Sequence, residues 1–195
     1  MNQNIMAAFL IAGIIFFGWK LVQNEPPKSA AAAQTEQHGE SSKESPVAQA
    51  KIPAAWESLI GTQLVGHDGK SVPLETVLSG KKVLAFYFSA SWCPPCRSFT
   101  PKLVDFYHDN KGDMAVVLVT SDRSYGDMIE YMRSHSMPWP AIPHGDTHIR
   151  TLSSKYGVRG IPALVVVDES GRLITSEGRS DVMRKGNKAI LDWIR

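Results

Sequence analysis

A chain of 195 residues with 43% hydrophobic content is long enough for one globular domain with appended segments. Its formal charge of +2, without a dense Lys/Arg block, excludes the electrostatic footprint of a nucleic-acid binder. Two cysteines are too few for a disulfide framework, and by themselves they cannot complete a four-ligand zinc site.

Residues 5–19 form an uncharged apolar stretch, and snorkelling of Lys20 lets Leu21 and Val22 extend it to near the lower limit for crossing a bilayer. The run is apolar on all sides, so residues 1–22 read as a transmembrane anchor or uncleaved signal segment rather than a core helix. Ala31-Ala32-Ala33 resembles a small-residue cleavage site but lies far past the apolar run, beyond Pro26-Pro27. Lys20 and Lys28 favour a cytoplasmic C-terminal domain by positive-inside counting. Against this, an export-like leader and the lack of a spare cysteine favour an extracytoplasmic, periplasmic placement, which is the one expected here. Residues 23–52, rich in Ala, Ser, Gln, Glu, Lys and Pro without aromatics, read as a flexible linker.

The folded domain is expected over residues 53–195. Residues 62–65 and 71–73 flank the turn His67-Asp68-Gly69-Lys70 as a small hairpin, and a helical turn follows at 74–78, ending at Gly80. Residues 82–89 and 114–121 read as buried strands. Between them a helix is expected from 94 or 95 to 109, kinked where Pro101 removes a backbone donor. Asp122 or Ser124 can cap a helix running to about residue 134. A Pro/Trp-rich loop at 137–143 leads to a helix over 147–156, closed by Gly157. Residues 163–167 and 172–175 read as a hairpin across a turn at 168–171, before a single C-terminal helix over 181–194. This order predicts a mixed sheet covered by helices on both faces.

The motif Trp92-Cys93-Pro94-Pro95-Cys96-Arg97 follows the first buried strand directly. It sets one thiol at a helix start and its partner one turn further on, an arrangement suited to reversible exchange between a dithiol and a disulfide. The thiolate is the attacking species, and the positive end of the helix would stabilise it at Cys93. Pro94 and Pro95 stiffen the loop and lack N–H groups, leaving the Cys96 amide as the nearest backbone donor to the Cys93 sulfur. Moderate activation follows, which suits a reductant or mid-potential carrier on the order of −200 to −270 mV. Cys93 is then the nucleophile and Cys96 the shielded resolving thiol. A static bridge closing so small a loop would remove little unfolded-state entropy. Trp92 would cover the site with a flat apolar contact, and Arg97 reads as a solvated helix residue. His67, His108, His135, His144 and His148 show no metal spacing with the cysteines, so no metal is expected, and no cofactor beyond the redox-active pair. Two alternatives stay open: a disulfide oxidase or isomerase, and a non-catalytic dithiol module that binds a partner or carries Cu(I).

The block Phe86-Tyr87-Phe88-Ser89-Ala90-Ser91-Trp92-Cys93-Pro94-Pro95-Cys96-Arg97, continuing Phe99-Thr100-Pro101, resembles the active site of the tryparedoxin and nucleoredoxin branch of the thioredoxin superfamily. Met137-Pro138-Trp139 with Ala141-Ile142-Pro143 is similar to that branch's loop. Tyr156-Gly157-Val158 with Gly160-Ile161-Pro162-Ala163-Leu164 resembles the superfamily's cis-proline segment. For the leader and linker, anchored bacterial thioredoxin-like proteins are the parallel.

The resemblance implies an α/β, thioredoxin-like fold with a central mixed β-sheet flanked by helices on both faces, and the apolar run read above places an N-terminal transmembrane helix before it. It implies a cis bond before Pro162 facing the dithiol and an Ile161 backbone free to pair with an extended substrate segment. Trp139 and Ile142 read either as rim residues or as packing residues unconnected with the site. Tyr87 stands six residues before Cys93, where thioredoxin usually has a buried Asp that helps move the second cysteine's proton, so the acceptor for Cys96 is water or another group. The implied activity is that of a thiol-disulfide oxidoreductase that reduces protein disulfides, and the anchor expected over residues 1–22 makes it a membrane-tethered one. Its expected partners are disulfide-containing proteins, an upstream thiol reductant and the membrane, with no nucleic acid.

Overall fold

The computed structural model describes residues 52–195; the expected anchor over 1–22, and the expected linker up to residue 51, lie outside them. In chain order the elements are α1 (Ala54–Ile60), β1 (Leu64–Val65), β2 (Ser71–Val72), α2 (Leu74–Leu78), β3 (Val83–Ser89), α3 (Pro94–Asn110) and β4 (Met114–Thr120). There follow α4 (Tyr125–Ser134), α5 (Thr147–Lys155), β5 (Ala163–Asp168), β6 (Leu173–Thr175), α6 (Gly178–Lys185) and α7 (Lys188–Trp193). Among the described residues, no helix is long and apolar enough to cross a membrane.

The sheet order is β4-β3-β5-β6, with β4 parallel to β3 and the other pairs antiparallel. Every residue of β3 and β4 is buried, and strands buried on both faces read as continuous apolar runs. The two-residue period of a strand sorts those side chains to opposite faces. Val83, Ala85 and Tyr87 pack in one cluster with Phe99, Leu103 and Phe106 of α3 and Trp193 of α7. Leu84, Phe86 and Phe88 pack in the other with Trp56 and Ile60 of α1 and Leu152 of α5. Helices therefore cover both faces of a mixed sheet, as the element order predicts.

The small hairpin is joined to the sheet through the Pro-rich loop. Val65 and Ala141 exchange backbone hydrogen bonds of 2.9 and 2.8 Å, while Leu118 of β4 donates to Pro140 at 2.9 Å and accepts from Ile142 at 3.0 Å. Residues 140–142 thus act as a minimal strand between β1 and β4, which buries their side chains.

Two features differ from the expectation, and one choice left open is decided. Helix α1 was not anticipated; it is too short for apolar periodicity to mark it, yet Trp56, Leu59 and Ile60 are buried and the Trp56 indole donates to the Asp168 carbonyl at 2.7 Å. The C-terminal helix is not continuous over 181–194: Gly186, at φ +54°, closes α6 by donating to the Val182 carbonyl, and α7 begins after Asn187. Ser124, not Asp122, caps α4, its hydroxyl accepting the Asp127 N–H at 3.1 Å. Helix α3 runs through Pro101 as one element.

Candidate functional site

Strand β3 delivers the chain into the short loop Ala90-Ser91-Trp92, and Cys93 is the N-cap of α3 with an extended backbone, φ −96° and ψ 105°. Pro94 and Pro95 occupy the first two helical positions, where a missing N–H costs nothing. The first available helical donor is then the Cys96 amide, which points at the Cys93 sulfur from 3.3 Å. Sulfur takes the place of the oxygen that a Ser or Asp cap would present.

Cys93 and Cys96 are joined as a disulfide with their Cα atoms 5.2 Å apart. Cys93 keeps 4% of its surface exposed and Cys96 none, so a partner arriving from solvent meets Cys93 first. Pro94, Pro95 and Arg97 are exposed around it. The Ile161–Pro162 bond is cis, and the Ile161 carbonyl oxygen lies 3.9 Å from the Cys93 sulfur while its side chain packs against both cysteines and Ala90. Residues 161 and 162, distant in sequence, therefore face the dithiol because β5 lies antiparallel beside β3.

Trp92 is 52% exposed, and its indole donates to the Ser121 carbonyl at 3.0 Å. It offers an apolar surface beside the dithiol, tied to the loop after β4. Trp139 and Ile142 do not line a rim. Trp139 is 2% exposed, packing edge-on to Tyr87 and Tyr107 with ring centroids 6.3 and 5.5 Å away, and Ile142 is fully buried. The bridging of residues 140–142 between β1 and β4 turns both inward.

Beneath Cys96 lies a chain of buried hydroxyls. Tyr87 donates to the Cys96 carbonyl at 3.2 Å and lies 2.9 Å from Thr100 Oγ1; Thr100 also donates to that carbonyl at 2.9 Å. Thr100 reaches Tyr131 at 2.7 Å, and Tyr131 reaches Ser89 at 2.9 Å. Burial pushes the Tyr87 phenol far above its usual value, and the neighbouring Tyr131 adds to the effect, so Tyr87 is a neutral hydroxyl at physiological pH. Of this chain, Tyr87 is the member singled out from sequence. Thr100 had a signal, being one helical turn after Cys96, but Tyr131 and Ser89 are brought in by the packing of α4.

Asp122, expected as a possible cap, is instead 7% exposed and turned toward the dithiol loop, accepting the Ser91 N–H at 2.7 Å. Among the described residues, no group of three or more His, Cys, Asp or Glu converges as a metal site.

Residues 80–173 match the thioredoxin-like family. Among solved structures, the chain is similar to a thioredoxin from Wuchereria bancrofti, with 40% identity, TM-score 0.60, and coverage of 68% of this chain and 93% of that one. It is also similar to tryparedoxin II from C. fasciculata, with 36% identity, TM-score 0.61, and coverage of 69% and 90%. Nucleoredoxin of Mus musculus is 36% identical over 145 residues, 72% of this chain and 32% of the relative. Probable nucleoredoxin 1 of Arabidopsis thaliana is 40% identical over 129 residues, 65% of this chain and 22% of the relative. The chain thus spans a third or less of the length of these two curated relatives.

Proposed function

This chain belongs to the thioredoxin-like family, with nucleoredoxins and tryparedoxins among its relatives, and from that premise we propose that it is a membrane-tethered thiol-disulfide oxidoreductase that reduces protein disulfides. The observation that carries the reading is the capping geometry. The Cys93 sulfur accepts the Cys96 N–H at 3.3 Å at the positive end of a 17-residue helix, while Cys96 is fully shielded behind it.

In the reduced protein the Cys93 thiolate attacks one sulfur of a substrate disulfide. That S–S bond breaks, a mixed disulfide forms, and the first substrate sulfur leaves as a thiolate that takes up a proton. Cys96 then loses its proton and attacks the Cys93 sulfur, forming the Cys93–Cys96 disulfide and releasing the second substrate sulfur as a thiol. Two electrons pass to the substrate, and an upstream thiol reductant must return them. Trp92 and the Ile161–Pro162 segment flank the dithiol where a substrate chain would lie. The apolar run over residues 5–22 supports the tether, and the export-like leader supports an extracytoplasmic site of action.

Reduction of insulin disulfides by the full chain, with dithiothreitol as electron source, tests the reading. Catalysis above the dithiothreitol background is expected, with complete loss in Cys93→Ser. Equal rates for the two proteins reject it. In Cys96→Ser the mixed disulfide should persist and be recovered covalently attached to Cys93.

A further inference from the structure

We propose that Asp122 is a positioning residue for Cys93, holding the loop that presents the attacking sulfur; the inference rests on the dithiol-exchange reading above. An aspartate this buried is rare unless its oxygens are satisfied, and the partners here are specific. Oδ1 accepts the Ser91 N–H at 2.7 Å, two residues before Cys93. Oδ2 accepts the Thr120 hydroxyl at 2.8 Å, and that hydroxyl accepts the Asp122 N–H at 3.0 Å. The last residue of β4 therefore fixes the carboxylate's orientation, and the carboxylate fixes the loop after β3.

Two neighbouring bonds join the same pair of loops. The Ser121 N–H donates to the Ser89 carbonyl at 2.8 Å, and the Trp92 indole donates to the Ser121 carbonyl at 3.0 Å. Ser89, Ser91 and Trp92 are thus all bound to residues 121 and 122. Of these three contacts, the one to Asp122 has a carboxylate acceptor, and hydrogen bonds to charged groups are the stronger kind. The His144 ring, whose Nε2 lies 3.1 Å from the Asp122 carbonyl oxygen, contacts the same turn.

The consequence falls on the capping contact. At 3.3 Å from the Cys96 nitrogen, the Cys93 sulfur depends on the loop's orientation for the first N–H that the two prolines leave in the helix. Releasing Ser91 lets Cys93 turn away, which destabilises the thiolate and with it the reduced state, so the disulfide becomes harder to reduce. The negative charge on Asp122 acts the other way, since a carboxylate near a thiolate disfavours it. Removing the charge while keeping an acceptor oxygen separates the two effects.

The full chain is equilibrated with glutathione redox buffers at pH 7 and the Cys93–Cys96 pair is quantified. Asp122→Ala is expected to shift the equilibrium toward the disulfide about tenfold, equivalent to a potential about 30 mV lower. Asp122→Asn, which retains an acceptor for Ser91, is expected to stay at or above the wild-type potential. Thr120→Val, which frees Oδ2, is expected to shift in the direction of Asp122→Ala by a smaller amount. Wild-type potentials in a folded Asp122→Ala and in Thr120→Val overturn the proposal, as does an Asp122→Asn shift equal to that of Asp122→Ala. If Asp122→Ala fails to fold, Asp122→Asn and Thr120→Val decide by the same criteria. A wild-type chain that does not reduce insulin overturns the exchange reading itself, an outcome distinct from an active chain insensitive to residue 122.

Discussion

The hydroxyl of Tyr87 donates to the carbonyl oxygen of Cys96 at 3.2 Å, so the shielded cysteine rests on a neutral phenol rather than on a charged group. That carbonyl also receives Thr100 Oγ1 at 2.9 Å, so the contact is duplicated and neither hydroxyl is indispensable to it.

Tyr87→Phe keeps the ring packed against Phe99 and Trp139 and removes one hydroxyl whose partners retain Thr100 and Tyr131. The expected loss is about 0.5–1.5 kcal/mol of stability, the net contribution of an ordinary hydrogen bond. Urea denaturation measures it. Insulin reduction should stay within about threefold of wild type, because burial keeps the phenol neutral and unsuited to accept a proton from Cys96 at pH 7. A loss of hundredfold or more would make Tyr87 a participant in proton transfer.

The two tryptophans near the site should separate by burial. Trp139→Ala removes a side chain only 2% exposed and is expected to cost about 3–5 kcal/mol. Trp92→Ala removes a half-exposed ring with one hydrogen bond and should cost under about 1.5 kcal/mol while weakening activity toward protein substrates more than toward small disulfides. Thermal melts and paired assays with insulin and a low-molecular-weight disulfide check both halves.

Gly178 opens α6 where the helix crosses β5. A Cβ there would sit 2.7 Å from the Leu164 carbonyl oxygen and 3.1 Å from its Cγ, and backbone cannot yield as a flexible side chain can. Gly178→Ala should destabilise by about 1–3 kcal/mol, the cost of overpacking. Gly112→Ala, with nothing within 4 Å of the added carbon, is the control and should lie within about 1 kcal/mol of wild type.

Asp168 sets a pH dependence at the far end of β5. Partial burial raises its carboxyl, but hydrogen bonds from Ser170 and Arg172 outweigh that and hold it below the ordinary carboxylate value. A depressed folded value means the carboxylate contributes stability at pH above about 4 and loses it as the pH falls through the folded value. Arg172 is largely exposed, so solvent screening limits the contribution to about 1 kcal/mol at most. Asp168→Asn should be less stable than wild type at pH 7, and the gap should close as the pH falls below about 4; urea midpoints at both ends of that range test it.

Much of this fold was legible because β3, α3 and β4 announce themselves locally. Runs such as Val83-Leu84-Ala85-Phe86-Tyr87-Phe88 are continuous because both faces of the strand are covered, and Pro94-Pro95 can start a helix but not continue one. What escaped was short or relational. Helix α1 spans only seven residues, and the break at Gly186 depends on a left-handed backbone that a glycine permits but does not require. Trp139 could be read from sequence as rim or as core, and the bridge at Ala141 between β1 and β4 turns its indole into the core.

The amino-acid order alone placed an N–H donor, two prolines and two sulfurs within a single helical turn, because that spacing is local to residues 93–96. Tertiary structure decided what surrounds them. Asp122 reaches Ser91 across 31 positions, Ser89 meets Tyr131 across 42, and the Ile161 carbonyl faces Cys93 across 68. Those meetings follow from strand order and from which helix covers which face, and no local spacing encodes them.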